Sequence, residues 1–162
     1  GLFVGHHFAA RLLDKAAGGK LAYIPSNKGG AGAMKSVIAG EVLGGVNNLS
    51  DAFRAREAGN VKILGVFDLE RNDFMPDVPT LKEQGFDIDN ASVNFRGVMV
   101  PKGTPQPIID KLAATVPTMF ENSRVAGKMK AGGSPMHIMT RDEVLQMWAA
   151  REETLKDLLA GL

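Results

Sequence analysis

The sequence predicts an α/β fold, and three observations support this prediction. Over about the first hundred residues, short apolar runs typical of strands alternate with segments whose apolar residues recur at helical spacing. Glycines, which number 19 in 162 residues, follow several of these segments, where helices commonly stop. The hydrophobic fraction of 44% and the charged fraction of 23% are those of a globular chain that buries an apolar core. We therefore expect a mostly parallel sheet covered by helices.

Helical patterns occur in five longer segments and one short one. The longer segments cover residues 6–17, 31–39, 51–58, 104–120 and 140–160. Ser50 is the expected N-cap of the third helix, Gly59 its expected C-terminal cap, and Thr104 the expected N-cap of the fourth. Thr80 and Thr140 each stand three residues before a glutamate, which is the spacing of a capping box. We expect a short helix after Thr80.

Four apolar runs are predicted to be strands. They cover residues 21–24, 42–46, 61–67 and 93–100. No strand is predicted after residue 104, so the amphipathic helices there either cover one face of a small sheet or belong to a sheet elsewhere in the polypeptide. In the second case, we expect Leu145, Trp148 and Leu155 to be exposed or to lie against a neighbour.

The composition excludes several classes of protein. Nineteen Lys and Arg residues against eighteen Asp and Glu residues leave a formal net charge of +1, whereas a nucleic-acid binder normally carries a basic excess. The absence of cysteine excludes a disulfide framework, a thiol nucleophile and cysteine metal ligands. No apolar run reaches roughly 18 residues, so no direct insertion into a membrane is expected.

A glycine loop between a predicted strand and a predicted helix has the features of an anion site. Consecutive glycines allow main-chain N–H groups to face a ligand, and the following helix adds free amides and the positive end of its dipole. A carboxylate or a phosphate suits such a site, and an ordinary strand-to-helix turn is the alternative, because neither GxGxxG nor a P-loop is present. The loop comprises Ser26, Asn27, Lys28, Gly29, Gly30 and Ala31.

Two further segments place polar residues at or near predicted strands. Asn47 and Asn48 follow one strand and precede a helix, where an amide side chain either donates to a ligand or caps the helix. Asn94, Phe95 and Arg96 lie in a strand that should be mostly apolar. Arg96 therefore requires a partner, which is either a protein carboxylate or an anionic ligand.

No catalytic or metal-binding constellation is recognisable in the sequence. The adjacent His6 and His7 do not share one face of a helix, and a role at the helix start is expected for the pair. No serine lies in a GxSxG motif, and no pair of carboxylates is placed for acid–base chemistry. We therefore expect no metal, no cofactor and no enzymatic activity.

Four motifs together point to a known family. They are YIPSNKGGA at 23–31, the segment from GEV at 40–42 to NLS at 48–50, AGNVKILGV at 58–66 with PDVPTLKEQG at 76–85, and NFRGV at 94–98 with PKGTP at 101–105. The chain resembles the substrate-binding receptors of the tripartite tricarboxylate transporter family, also called Bug-type receptors. The resemblance covers essentially the whole chain, and PDVPTLKEQG and the KGG loop are its most specific parts.

The resemblance implies a periplasmic-binding-protein-like (type II) bilobal fold, in which two lobes close on a ligand. Residues 1–93 would form the second α/β lobe, residues 94–103 an interdomain crossover strand, and residues 104–162 the C-terminal helices of the first lobe. The N-terminal part of the first lobe would be absent from this chain. The receptor would be periplasmic, with a signal peptide in its full-length precursor.

The resemblance also implies what the receptor binds and with what it works. It would capture a small organic carboxylate, either a di- or tricarboxylate or an aromatic acid, and deliver it to the membrane components of a tripartite tricarboxylate transporter. The implied contacts are the loop from Ser26 to Ala31, Asn47 and Asn48, Asn94 to Arg96, and the loop before the first helix with Val4, Gly5 and His7.

The chain departs from the family pattern at several of these positions. The family often has Tyr in place of Ser26 or Asn27, Ser or Thr near Val4, Trp in place of Phe95, and Asp in place of Leu43. These departures concern the identity of the ligand.

A different class of function is an α/β enzyme that binds a phosphorylated substrate at Gly29 and Gly30. Such an enzyme needs a nucleophile or a base beside the loop, and Lys28 and Ser26 are the residues available there.

Overall fold

The computed structural model describes residues 2–160, and within this range the regular structure consists of six α-helices. They are α1 (Gly5–Ala16), α2 (Gly29–Ile38), α3 (Leu49–Glu57), α4 (Gln106–Thr118), α5 (Ser123–Ala131) and α6 (Arg141–Ala160). The five longer helices predicted from the sequence are confirmed as α1 to α4 and α6, with boundaries that differ by no more than about two residues.

Helix α5 was not predicted from the sequence. Its N-cap is Asn122, whose side-chain oxygen accepts hydrogen bonds from the N–H groups of Arg124 and Val125 at 3.0 and 3.4 Å. The cap residue was the available signal, because asparagine at this position satisfies amides that the helix itself leaves free.

Two helix starts differ from the prediction. The N-cap of α3 is Asn48 rather than Ser50, because the Asn48 carbonyl oxygen already accepts from Asp51 and Ala52 N–H groups at 3.1 Å. The N-cap of α4 is Pro105 rather than Thr104, whose hydroxyl donates to the Pro101 carbonyl at 2.8 Å. At the other end of α3, Gly59 has a φ of 71° and ends the helix as expected.

The predicted parallel sheet is not formed within residues 2–160, which corrects the sequence prediction. The four expected strands run without a hydrogen-bonded ladder, and one isolated parallel bridge joins Val66 to Thr80. A strand is stabilised by the hydrogen bonds and side chains of a neighbouring strand. Ile24, Leu43 and Leu64 are instead exposed, so nothing in this part of the chain packs on them. The apolar pattern therefore identified segments that need a neighbour to be buried. It could not show which strand would pair with which.

The segment after Thr80 forms turns instead of the expected short helix, although its capping box is made. The Thr80 N–H donates to Glu83 Oε2 at 2.7 Å, and the Glu83 N–H donates to Thr80 Oγ1 at 3.1 Å. The N–H of Leu81 donates to the Val66 carbonyl at 3.0 Å. Because the Leu81 N–H bonds to Val66 in the β-bridge, the start of the segment has an extended backbone, which competes with helix formation.

The buried core is small and centres on the turns between residues 75 and 92. Its apolar members are Ala9, Ala55, Met75, Val78, Leu81, Ile88, Ala91 and Leu158. None of the helices within residues 2–160 is both long enough and apolar enough to cross a membrane.

Helix α6 packs against α1 near its C-terminal end. Leu158 is buried in this contact region, whereas Leu145 and Trp148, further up the helix, are 45% and 39% exposed. The expected exposed apolar face of the C-terminal helices is therefore present. The contact with α1 also brings α6 to the first helix of the chain, which positions one wall of the site described next.

Candidate functional site

The candidate site lies where the starts of α1 and α3 meet residues 92–94. Asn48 occupies the N-cap of α3, but its side chain makes no capping hydrogen bond. Its Oδ1 atom instead accepts from Asn94 Nδ2 at 2.6 Å. A Cβ atom added to Gly5 would overlap Asn94 Oδ1. Asn94 therefore stands between two helix N-termini, and this close approach requires glycine at position 5.

The first turn of α1 offers main-chain donors to the site. Val4 has an extended backbone at the N-cap position, and its carbonyl oxygen accepts from the N–H groups of His7 and Phe8 at 2.8 and 3.1 Å. The N–H groups of Gly5 and His6 come before these, so they have no acceptor within the helix. Together with the positive end of the helix dipole, these amides favour an anion.

His7, one of the predicted ligand contacts, is buried beneath this turn with only 6% of its surface exposed. Its Nδ1 atom accepts from the Phe3 N–H at 3.1 Å, and its ring centroid lies 4.7 Å from that of Tyr23. Burial, followed by the charge of Arg11, lowers the pKa of His7, so the imidazole is neutral at pH 7. The side chain fixes the turn that carries the Val4 and Gly5 backbone.

A cavity of about 560 Å³ opens beside Gly5 and Asn94, between α1, residues 91–95 and α6. Its walls are mostly apolar and include four aromatic side chains, those of Phe3, Phe8, Phe95 and Trp148. Ser92 also lines the cavity, is only 8% exposed, and has no hydrogen-bond partner for its Oγ among residues 2–160. A buried hydroxyl of this kind is available to water or to a polar group of a ligand.

Arg151 of α6 brings a positive charge to the cavity. Its Nη1 atom donates to the Val93 carbonyl at 2.7 Å and its Nη2 atom to the Asn90 carbonyl at 3.3 Å. The guanidinium carbon lies 5.6 Å from the centre of the Phe95 ring. Burial lowers the pKa of Arg151 from its usual value, but a guanidinium remains charged throughout the physiological range.

Ser92, Trp148 and Arg151 were not predicted as site residues. Trp148, Arg151 and Leu155 share one face of α6 at spacings of three and four residues, and an arginine on an otherwise apolar face was the available signal. The bonds that bring Arg151 to the site span 58 and 61 positions, so no local pattern shows them.

The glycine loop at the start of α2 lies apart from this cavity. Ser26 Oγ accepts from the Lys28 N–H at 3.3 Å and donates to the Gly29 carbonyl at 3.3 Å. A Cβ atom on Gly30 would lie 2.8 Å from Asp51 Oδ2, so a carboxylate of α3 already stands at this helix N-terminus. Asp51 belongs to the first turn of α3 and is paired with Arg54, whose Nη2 atom lies 2.9 Å from Asp51 Oδ1.

The remaining predicted residues take different positions. Asn27, Lys28 and Ala31 are exposed, whereas Asn47 is half-buried and its Oδ1 atom has no hydrogen-bond partner among residues 2–160. Arg96 is exposed and forms no ion pair with a residue of the described range. Because the strand expected around it is not formed, Arg96 is not buried and does not require the partner that the sequence suggested.

The residues within the described range that bear His, Asp or Glu side chains form no group of three that could hold a metal ion. The site combines main-chain amides, the Asn94 amide, the Arg151 guanidinium and aromatic walls around the cavity.

Comparison with protein families identifies the family to which the chain belongs. The family model described as the tripartite tricarboxylate transporter family receptor, TctC, matches residues 1–159. The chain belongs to this family. Receptors of the TctC family are extracytoplasmic solute-binding proteins of tripartite tricarboxylate transporters, so the resemblance inferred from the four motifs is confirmed.

Two relatives illustrate the relationship. The chain is 30% identical over 145 residues to the "UPF0065 protein in tcbD-tcbE intergenic region" of Pseudomonas sp. (strain P51), covering 83% of this chain and 42% of that protein. It is 28% identical over 150 residues to "Protein BugT" of Bordetella pertussis, covering 88% of this chain and 45% of that protein. The chain thus spans less than half the length of these relatives.

A solved structure shows the same fold. The crystal structure of a TctC solute-binding protein from Polaromonas, without ligand, matches with a TM-score of 0.77 at 23% sequence identity. The match covers 100% of this chain and 55% of that protein. The path of the chain is therefore that of a periplasmic-binding-protein-like receptor, although the described residues form no strand ladder of their own.

Proposed function

We propose that this chain is part of an extracytoplasmic receptor that captures a small organic carboxylate and delivers it to the membrane components of a tripartite tricarboxylate transporter. The observation that carries the proposal is the meeting of the α1 and α3 N-termini at Asn94, beside a cavity. The family supports the receptor role, and the donors at the site support the carboxylate.

The donors suit a carboxylate because they are neutral, fixed and oriented. The amides of Gly5 and His6 have no helical acceptor, and Asn94 stands next to them with its Oδ1 atom, an acceptor, facing Gly5. The donor that Asn94 can offer a ligand is the second N–H of its Nδ2 atom, since the first donates to Asn48 Oδ1. Each helix N-terminus contributes about 0.3–1 kcal/mol to an exposed anion, and up to about 2 kcal/mol when it is partly buried. Micromolar binding requires about 8 kcal/mol, so contacts from the cavity walls and from the rest of the receptor must supply the difference.

The rest of the receptor is expected to cover surfaces that the chain leaves open. The accessible surface is 11,329 Å², whereas a self-contained protein of 17.3 kDa exposes about 7,800 Å². Ile108, Trp148 and Met99 are among the exposed apolar side chains. The relatives are about twice as long, which supports a bilobal receptor in which residues 1–93 belong to the second lobe, residues 94–103 cross between lobes, and residues 104–162 return to the first.

The carboxylate proposal is tested by thermal-shift measurements on the receptor that contains this chain. At millimolar succinate, citrate and benzoate, we expect at least one acid to raise Tm, and the rise to grow with acid concentration. The substitution Asn94→Leu should weaken binding of that acid about tenfold, because it leaves Asn48 and the ligand without their shared partner. The matched control is Asn60→Leu in an exposed turn after α3.

Two outcomes would contradict the proposal. One is that no carboxylate raises the Tm of the wild-type receptor at any concentration tested. The other is that Asn94→Leu binds the acid as tightly as Asn60→Leu does, which would place the ligand away from the α1 and α3 N-termini.

A further inference from the structure

A turn at residues 90–93, called turn 90–93 below, leads directly into Asn94. The Val93 N–H donates to the Asn90 carbonyl at 3.0 Å, which closes the turn. Ser92, in the middle, is only 8% exposed, so the turn is packed against its surroundings. The closing bond is local: it fixes the shape of the turn but not its position relative to the helices.

Arg151 binds turn 90–93 from a distant part of the chain. Its Nη1 atom donates to the Val93 carbonyl at 2.7 Å and its Nη2 atom to the Asn90 carbonyl at 3.3 Å, and these bonds span 58 and 61 positions. The acceptors are the carbonyls at the two ends of the turn, and the planar guanidinium donates to both at once. The two bonds therefore fix the position of the turn relative to α6.

The charge of Arg151 is opposed by carboxylates of the protein itself. Burial lowers the pKa of Arg151, whereas the negative charges of Asp68 and Asp89 raise it. These carboxylates thus favour a charged guanidinium at the turn. Because the hydrogen bonds of Arg151 go to main-chain carbonyls and its charge has partners within the protein, the side chain is suited to holding main chain in place.

The residue that follows the turn occupies the tightest part of the candidate site. Asn94 donates its Nδ2 atom to Asn48 Oδ1 at 2.6 Å, and a Cβ atom on Gly5 would overlap Asn94 Oδ1. The turn itself approaches the same glycine, because that Cβ atom would lie 3.1 Å from the Ser92 carbonyl oxygen. A displacement of the turn by a fraction of an ångström would therefore move Asn94 relative to both helix starts, and binding groups must be held to about 0.5 Å.

From these observations we propose that Arg151 is a positioning residue, which acts on the ligand through Asn94 by holding turn 90–93 against the starts of α1 and α3. The inference rests on the proposed function, since it concerns the same site. It gives α6 a part in binding. In the bilobal arrangement that we propose, α6 belongs to the first lobe, so a movement of that lobe would reach Asn94 through Arg151.

A double-mutant cycle tests this inference by isothermal titration of the full receptor with succinate, citrate and benzoate. Asn94→Leu and Arg151→Gln should each weaken binding of an acid that binds the wild type about tenfold. Because Arg151 acts through Asn94, the double variant should also lose about tenfold, whereas independent residues would give a loss of roughly 100-fold. Arg141→Gln, at the exposed start of the same helix, is the matched control and should bind like the wild type.

Hydrogen exchange of the Val93 amide, which closes the turn, provides a readout that needs no ligand. This amide should exchange at least about tenfold faster in Arg151→Gln than in Arg141→Gln, because the turn opens more often when α6 no longer holds it. Arg151→Lys keeps the charge and a hydrogen-bond donor, so its affinity and its exchange rate should lie between those of wild type and Arg151→Gln. Its cycle with Asn94→Leu should again be non-additive, which keeps the test available if Arg151→Gln does not fold.

The outcomes separate this inference from the proposed function. Additive losses in the cycle, wild-type affinity in folded Arg151→Gln, or unchanged exchange of the Val93 amide would each overturn the inference and leave a carboxylate receptor intact. Failure of all three acids to bind the wild type would contradict the proposed function itself, and the inference with it.

Discussion

At the scale of single residues, the site depends on the hydrogen-bond partners of a few side chains. Asn48 stands at the N-cap of α3, yet it leaves the helix uncapped and bonds to Asn94. A capping asparagine normally contributes about 1 kcal/mol to stability, so this arrangement gives up helix stability to hold Asn94 between two helix starts. Such a loss of local stability is typical of residues placed for function, which agrees with the ligand site that we propose.

His7, in contrast, stabilises the site: it is buried against the first turn of α1 and accepts a hydrogen bond from the Phe3 N–H. Its pKa is lowered by burial, so the unfolded chain, with a histidine pKa near 6.5, takes up a proton before the folded chain does. The stability contributed by the neutral imidazole is present above about pH 6.5 and is lost as the pH falls through that value toward the folded pKa.

We therefore expect the free energy of unfolding of the receptor to decrease between pH 7.5 and pH 5, and to decrease less in His7→Gln. Urea unfolding at both pH values measures this difference. His137→Gln, which removes an exposed histidine, is the control and should keep the wild-type dependence. An identical pH dependence in wild type and His7→Gln would show that His7 is not the group responsible.

Some residues of the candidate site were predictable from the sequence and others were not. Gly5, Asn48 and Asn94 were expected to contribute, and the structure brings these three together. Arg151 was not expected, because its placement depends on the packing of α6 against α1, which no local pattern contains.

At the scale of elements, helices were predictable from the sequence and strands were not. Helix periods and end signals are local, so α1 to α4 and α6 were located within about two residues. A strand is stabilised by a partner, and the segment 61–67 has its apolar pattern whether or not a partner is present. Leu64 in this segment is 69% exposed, which is the structural sign of a missing neighbour.

Helix α5 is short and has a side-chain N-cap, Asn122. It has nine residues and none of them is buried, so packing contributes little to its stability. Asn122→Ala should destabilise the receptor by about 1 kcal/mol, because it removes the acceptor for the Arg124 and Val125 amides. Urea unfolding measures the loss, and Asn60→Ala in an exposed turn is the control, with a change below about 0.5 kcal/mol. Equal effects of the two substitutions would show that the cap is not needed.

At the scale of the whole molecule, the chain has the fold of a TctC solute-binding protein, and it exposes more surface than a self-contained protein of its mass. Its fold matches a TctC solute-binding protein with a TM-score of 0.77, and that match covers 55% of the larger protein. Its accessible surface exceeds the value expected for its mass by roughly 3,500 Å². An excess of that size on one partner is as large as one side of an extensive permanent interface, which agrees with our proposal that further polypeptide of the receptor covers it.

The size of the whole receptor also bears on the proposed ligand cleft, because this chain would supply only some of the ligand contacts. In the function that we propose, the site would contribute amides, Asn94, Arg151 and aromatic walls from one side of the ligand. A bilobal receptor closes a second set of contacts over the ligand. The affinity of a single helix N-terminus is too small to bind an acid alone, so both sides are required.

A crystal structure of the receptor that contains this chain, determined with a bound carboxylate, tests the central claim most directly. We expect the carboxylate oxygens within hydrogen-bond distance of the Gly5 and His6 amides and of Asn94, with the body of the acid in the cavity between α1 and α6. An acid bound at the Ser26–Ala31 loop, or anywhere that leaves Gly5 and Asn94 without contact, would contradict the claim.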